Sequence, residues 1–261
     1  MYAPERQRLI AEVVANHGRA SVADLAERLG VTPETVRRDL DALETTGALR
    51  RVHGGAVAAD RDATTERPLG EREGEHLRQK RAAADAAMRF IPSNARCSVL
   101  LDAGSTTAVI AERLAAMPAR SVEGLTVICN SFQIIRRLAA HPSIGIVTLG
   151  GRLRSVTGAA VGPITLDQLG ALRPDVAIVG TNGISADFGC STPDPDEAAV
   201  KRAMVRSAAR RIIAADSSKF DETSFVRFAS LDDLDAVATD EAPTGDLAAA
   251  LAVAGVEVVT P

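Results

Sequence analysis

The sequence predicts two folded units in series, an N-terminal winged helix-turn-helix and a C-terminal α/β domain with a mostly parallel sheet. Three observations carry this. The stretch Val31-Thr32-Pro33-Glu34-Thr35-Val36-Arg37-Arg38-Asp39-Leu40 reads as a capped helix with two adjacent arginines on its polar side. Arg50-Arg51-Val52-His53-Gly54-Gly55 follows as a short basic hairpin. Beyond about residue 75, short β-branched runs alternate with helical ones, the pattern of strands covered on both faces of a parallel sheet.

The first unit is expected over residues 1–57. Leu9, Ile10, Val13 and Val14 recur at helical spacing and predict a helix ending near His17-Gly18. Ser21 and Asp24 have the spacing of a capping box, and the helix they open buries Val22, Leu25, Ala26 and Leu29 before Gly30 stops it. Thr32 caps a third helix with Pro33 at its first position, where a missing N–H costs nothing. That helix runs to about Thr46, and its short connection to the second one is the helix-turn-helix arrangement. Val36, Leu40 and Leu43 fall at i, i+4 and i+7, so Glu34, Thr35, Arg37, Arg38 and Asp41 face outward. Asp39 lies at the edge of the buried stripe and is expected to pair with an arginine of the first helix. Residues 48–57 hold Arg50, Arg51 and His53 without an acidic residue, as a wing pivoting on Gly54-Gly55 would.

Residues 58–74 are poor in apolar side chains, rich in charge and punctuated by Pro68, Gly70 and Gly74, and read as a linker. The second unit is expected over 75–261. It opens with an alanine-rich helix leading to Phe90-Ile91-Pro92, and continues with strands at 98–101, 125–129, 144–149, 176–179, 212–215, 236–239 and 256–259. Helices are expected at 107–117, 132–140 and 197–210.

Composition narrows the classes of function. With 46% apolar residues but 3% aromatics and no Trp, the core rests on Val, Leu, Ile and Ala. Cys97, Cys129 and Cys190 are odd in number and far apart, which fits reduced thiols in a cytoplasmic protein. Glu5, Arg6 and Arg8 interrupt any N-terminal apolar stretch, so neither a leader nor a membrane span is expected. The four histidines are scattered, and no G-x-x-x-x-G-K-[ST] or G-x-G-x-x-G run occurs, so neither a metal nor a cofactor is expected. The net charge of −4 means that any grip on nucleic acid must come from a local basic patch.

Two constellations meet these bounds. Ser21, Thr32, Thr35, Arg37, Arg38, Arg50, Arg51, His53 and Gly54 form a candidate surface for double-stranded DNA. An arginine fork takes guanine O6 and N7 bidentately, or two phosphate oxygens. The plain alternative is a solvated helix face. In the second unit, Asp102-Ala103-Gly104-Ser105-Thr106-Thr107 follows a strand and opens a helix, offering free N–H groups, hydroxyls and the positive end of the helix dipole to an anion, phosphate above all. The same residues also suit a simple cap. Three further strand ends carry Asn130-Ser131, Gly150-Gly151 and Asp216-Ser217-Ser218-Lys219, and ligands of open parallel sheets bind beyond such ends. Asp102 and Asn130 suit sugar hydroxyls and Lys219 suits a phosphate or sugar oxygen. Glu197 and Lys201, at i and i+4, fit either this site or a surface ion pair.

Residues 8–56, with Thr35 through Leu40 and His53-Gly54-Gly55-Ala56, closely resemble the winged helix-turn-helix of the DeoR family of bacterial repressors. The motifs Asp102–Thr107, Asn130-Ser131, Gly150-Gly151, 180–183, Thr192-Pro193 with Glu197 and Lys201, and Asp216 through Lys219 resemble the sensor domain of the same family over about 75–240. That domain is similar to ribose-5-phosphate isomerase, and the resemblance implies a phosphorylated sugar as effector. Ser105 and Cys129 depart from it, standing where many relatives carry threonine. The stretch 192–201 looks like fructose-operon regulators in particular, which implies fructose 1-phosphate. The implied partners are operator DNA, the effector and further copies of the chain, as a homodimer or homotetramer. The alternative is an isomerase tethered to a helix-turn-helix. Asp102, Glu197 and Lys219 could serve it in principle, but no second carboxylate cluster with a matching lysine is legible, so a non-catalytic regulator is expected. A third reading, a helix-turn-helix used for protein contacts, predicts no steep salt dependence of DNA affinity.

Overall fold

The computed structural model describes residues 2–17, 19–52, 54–58, 66–92 and 96–261. The chain divides into two compact units, Met1–Thr65 and Glu66–Pro261.

The first unit runs Ala3–His17 (α1), Arg19–Ser21 (β1), Val22–Leu29 (α2), Pro33–Thr45 (α3), Leu49–Val52 (β2) and Gly55–Ala58 (β3). Ser21 accepts from the Asp24 N–H at 3.0 Å and Thr32 from the Thr35 N–H at 3.3 Å, so both helices are capped, the first by Ser21 alone rather than by the reciprocal box expected with Asp24. Gly30 ends α2 in the left-handed conformation at φ 64°. Ile10, Val14, Leu25, Val36, Leu40 and Leu43 make the core. Asp39 is buried and held by Arg6 Nε at 2.5 Å and Gln7 Nε2 at 3.1 Å, the expected tie between α3 and the first helix. Leu40 is fully buried, so Leu40→Ala lowers the stability of this unit by about 2–5 kcal/mol. The check is the urea midpoint for exchange of the Val36 and Leu40-region amides; an unmoved midpoint would show that the stripe is not this unit's core.

Strands β1, β3 and β2 form an antiparallel sheet in that order. Val52 pairs with Gly55, Gly54 stands in the turn at φ 80°, and Gly55 belongs to β3. This corrects the expected pivot. A Cβ at Gly55 would stand 2.3 Å from the Ala20 carbonyl oxygen, so glycine is needed there for the close approach of β1 rather than for turning.

The second unit begins earlier than expected. Of the stretch read as linker, 59–65 lie outside the described residues, while Leu69–Gly74 is a short helix (α4) whose Leu69 is buried and donates its N–H to Val156 O at 3.0 Å. The charges that suggested a linker are paired inside the unit: Arg72 stands 3.1 Å from Glu66. After α4 come Leu77–Met88 (α5), Cys97–Leu101 (β4), Ser105–Ala115 (α6), Leu125–Cys129 (β5), Phe132–Leu138 (α7) and Gly145–Thr148 (β6). Arg152–Arg154 (β7) and Ala159–Val161 (β8) form a hairpin, followed by Pro163–Gly170 (α8) and Val176–Gly180 (β9). The chain ends with Gly183–Ser185 (β10), Gly189–Thr192 (β11), Pro195–Ser207 (α9), Arg210–Ala214 (β12), Val226–Ala229 (β13), Ala236–Ala238 (β14), Gly245–Val253 (α10) and Glu257–Val259 (β15).

Seven strands form one parallel sheet in the order β15-β14-β12-β9-β4-β5-β6. Alternate residues feed opposite faces. Val99, Leu101, Val127 and Ile178 pack with Ile110, Leu114 and Leu138 of α6 and α7, while Leu100, Ile128, Ala177 and Val179 pack with Met204 of α9 and Leu251 of α10. The strand order reverses between β4 and β9, so a crevice opens beyond their carboxyl ends. A smaller antiparallel sheet, β10-β11-β13, lies apart from the main one in pairing and was not legible in the sequence. Among the described residues no helix is long and apolar enough to cross a membrane.

Candidate functional site

The outward face of α3 carries Arg37 and Arg38, both exposed. Arg37 makes only a loose surface pair with Glu34, at 3.2 Å, and Arg38 has no ion-pair partner among the described residues. Thr35 is half-buried, its hydroxyl 2.9 Å from that of Thr32, so this pair shapes the start of the helix. Ser21 is engaged as the cap of α2. Arg51 is drawn back onto α3, its guanidinium paired with Asp41 and its N–H donating to Glu44 at 2.8 Å. Arg50 sits in β2, Gly54 is exposed in the turn, and His53 lies outside the described residues. The helix therefore presents two arginines on a rigid element whose opposite side is core.

In the second unit, Asp102 follows β4 and is 1% exposed. Lys201, from α9, is 6% exposed and pairs with Asp102, while donating to Gly180 O at 2.9 Å. Gly180, at the end of β9, returns its N–H to Asp102 at 3.0 Å. The ion pair thus lines the crevice at the strand reversal and joins β4, β9 and α9. The Lys201 ammonium also stands 5.7 Å from the centre of the Phe228 ring. Glu197, one turn before Lys201, is 4% exposed and accepts from the Thr157 hydroxyl and from Arg154 Nη1 at 2.8 Å. Burial, then the charge of Glu66, pushes the Glu197 carboxyl above the usual carboxylate range. Glu197 and Lys201 are therefore not a surface pair; each has a buried partner elsewhere.

A small cleft open to solvent is lined by Asp102, Asn130, Glu197, Lys201, Val200 and Met204. Asn130, at the end of β5 and 4% exposed, donates to Ala160 O at 2.9 Å and leaves its Oδ1 buried without a partner. An unpaired buried acceptor costs about 1–3 kcal/mol, which a ligand hydroxyl would recover. Beside it α6 starts at Ser105 with Gly104 as its cap residue and no side-chain cap. The N–H groups of Ser105, Thr106 and Thr107 have no intrahelical carbonyl to reach, and they leave a positive end next to the cleft. Thr107 is committed inward, its hydroxyl donating to Asp102 O at 2.9 Å. Cys129 is buried and its thiol accepts from the Ser131 N–H at 3.2 Å, so sulfur holds this turn.

Other expected residues lie apart. Gly150 and Gly151 do not line the cleft; Gly150 is bonded to Thr165 and Gln168 of α8, and a Cβ at Gly151 would stand 2.1 Å from Thr165 Oγ1. Their place is the packing of α8. Lys219 follows β12, two strands from β4, so roughly 10 Å away. There it forms a second polar group with Asp216, which is fully buried with Oδ2 unpartnered, and with Lys80 of α5. Lys80 is 2% exposed, donates to Glu75 O at 2.6 Å, and has its ammonium pushed down to about 8 by burial, against the pull of Asp216.

Lys80, Arg154, Thr157 and Glu66 escaped the sequence reading. Lys80 looked like one charge of an alanine-rich surface helix, and the others belong to segments without a motif. Of the residues named for an isomerase, Asp102 and Glu197 share one cleft, and the lysine beside them is Lys201 rather than Lys219. Asp102 has both oxygens engaged, and Glu197 is held by two donors. Among the described residues no cluster suits a metal ion.

A model described as the DeoR-like helix-turn-helix domain matches residues 6–62, and one described as the DeoR C terminal sensor domain matches 75–241. The chain is 36% identical over 259 residues to the HTH-type transcriptional regulator GlpR of Haloferax volcanii, covering 99% of this chain and 98% of that one. It is 33% identical to the HTH-type transcriptional regulator FruR of Bacillus subtilis, and 30% to the glycerol-3-phosphate regulon repressor of Escherichia coli. These cover 92% of this chain, and 92% and 91% of theirs. Ribose 5-phosphate isomerase A of Methanocaldococcus jannaschii aligns over 54% of this chain and 53% of its own, with 16% identity and a TM-score of 0.40.

Proposed function

Since the chain belongs to the DeoR family of transcriptional regulators, we propose that it is a repressor of a carbohydrate-utilisation operon. It grips operator DNA through α3 and the wing, and a phosphorylated sugar in the cleft beyond β4 and β9 modulates that grip. The observation that carries the ligand half is the buried, unpartnered Oδ1 of Asn130, beside the uncapped start of α6. An acceptor waiting for a hydroxyl next to a cradle for an anion describes a polyol phosphate. A homodimer or homotetramer would bring two recognition helices to half-sites about one helical turn apart. The ligand acts by linkage: it shifts DNA affinity by the ratio of its affinities for the gripping and released states.

The effector named by this reading is fructose 1-phosphate, supported by the 192–201 stretch and by the relative named FruR. Thermal unfolding of the full chain is measured with fructose 1-phosphate, glycerol 3-phosphate, ribose 5-phosphate and unphosphorylated fructose. Fructose 1-phosphate raises the Tm by several degrees, as about 2.7 kcal/mol at a hundredfold excess over Kd requires, and fructose does not. A larger shift with glycerol 3-phosphate would reassign the effector, and no shift with any phosphate would remove the ligand half. The carboxylates and lysine of the cleft raise an isomerase reading, so ribose 5-phosphate and fructose 1-phosphate are also incubated with the protein. No product forms above a heat-killed control; turnover would make the chain an enzyme.

A further inference from the structure

Glu66 is the first residue of the second unit, and 3% of its side chain is exposed. Arg154, in β7, uses a single nitrogen, Nη1, for two carboxylates: Glu66 Oε2 at 2.5 Å and Glu197 Oε1 at 2.8 Å. Its Nε stands 3.1 Å from Asp194, the cap of α9. Arg72, on α4, stands 3.1 Å from the other Glu66 oxygen. The Leu69 N–H then donates to Val156 O, and the Leu69 side chain is buried. The segment 66–72 is thus fastened to the β7–β8 hairpin by one shared cation and one backbone bond, with the Leu69 side chain buried beside them.

Glu197 is the link to the cleft, which it lines together with Asp102, Asn130 and Lys201. Glu66, Asp194 and Glu197 share two guanidiniums, and Arg154 is held within reach of Glu66 by its bonds to Asp194 and Glu197, so whatever loosens the hold of Glu197 on Arg154 also loosens the bond to Glu66. A hydroxyl or an anion arriving in the cleft makes such a change, by donating to Glu197 or repelling it.

We infer that residues 66–72 form a clasp whose closure is set by Glu197 through Arg154, so that the state of the cleft is passed to the segment that follows the DNA-binding unit in the chain. Arg154 is a positioning residue in this relay and does not line the cleft. The inference rests on the cleft being the effector site, but its wiring is tested without ligand, so a failed ligand panel and a failed relay are separate outcomes.

The test is hydrogen exchange on the full-length protein. Glu197→Gln keeps the side chain's shape and removes its charge. It raises exchange at the Leu69 amide about tenfold, while amides of Val237 and Val258, in β14 and β15, keep their wild-type rates. Glu66→Gln does the same, and the double variant exceeds neither single one, as members of one chain of contacts must. Thr157→Val, which retains the Glu197 charge and removes one of its donors, gives a smaller rise and serves if Glu197→Gln does not fold. Wild-type exchange at Leu69 in Thr157→Val and in folded Glu197→Gln overturns the relay. So does a rise shared equally by Val237, which would mark Glu197 as a general support of the fold.

Discussion

Replacing Asp102 with alanine lowers the stability of the second unit by about 3–5 kcal/mol, the cost of leaving a buried cation without its partner. Lys201 is 6% exposed and has Gly180 O as its remaining acceptor, so its charge cannot be rehydrated without opening the join between α9 and the sheet. The loss is read from urea titration of the full chain, followed by exchange of the Leu101 and Val179 amides on either side of the strand reversal. The double variant Asp102→Ala, Lys201→Met recovers much of it, since an apolar residue of similar length restores neutrality to the crevice. A loss below about 1 kcal/mol in the single variant would mean that water already reaches the pair.

Arg38→Ala costs roughly ten- to a hundredfold in affinity for the duplex that the wild-type protein selects from a random pool. Affinity for unselected duplex falls only by the salt-dependent share of one phosphate contact. The difference follows from geometry: Arg38 is exposed, without an ion-pair partner among the described residues, and fixed on a helix whose far side holds Val36, Leu40 and Leu43. Arg37→Ala gives a loss of the same kind, after the weak surface pair with Glu34 is given up. If selection yields no preferred sequence, or if affinity does not fall as salt rises, α3 does not read DNA and the regulator reading loses its first half.

Much of the architecture was legible because burial leaves a local trace. All seven strands of the parallel sheet were read within about two residues, the inner ones because β-branched runs covered on both faces stay apolar throughout. The helix-turn-helix was legible from Thr32, Pro33 and the Val36-Leu40-Leu43 stripe, and the position of Asp39 at the edge of that stripe foretold its bond to Arg6. Strands β10, β11 and β13 were missed because Gly183-Ile184-Ser185, Gly189-Cys190-Ser191-Thr192 and Val226-Arg227-Phe228-Ala229 mix glycine or polar residues among the apolar ones, so no continuous apolar run marks them. Gly55 was read as a turn residue because sequence cannot tell a glycine that turns the chain from one that lets another strand approach.

The chain's own order thus determined its two units, the reading helix and the residue types at the strand ends. Which of those ends meet was decided only by folding. Asp102 and Lys201 are 99 positions apart, Glu66 and Arg154 are 88 apart, and their partnership exists because the sheet reverses its strand order between β4 and β9 and lays α9 across the gap. Periodicity records how often a side chain is buried, through contacts within a few residues. The pairing of buried charges depends on the low-dielectric crevice that appears once distant strands are side by side.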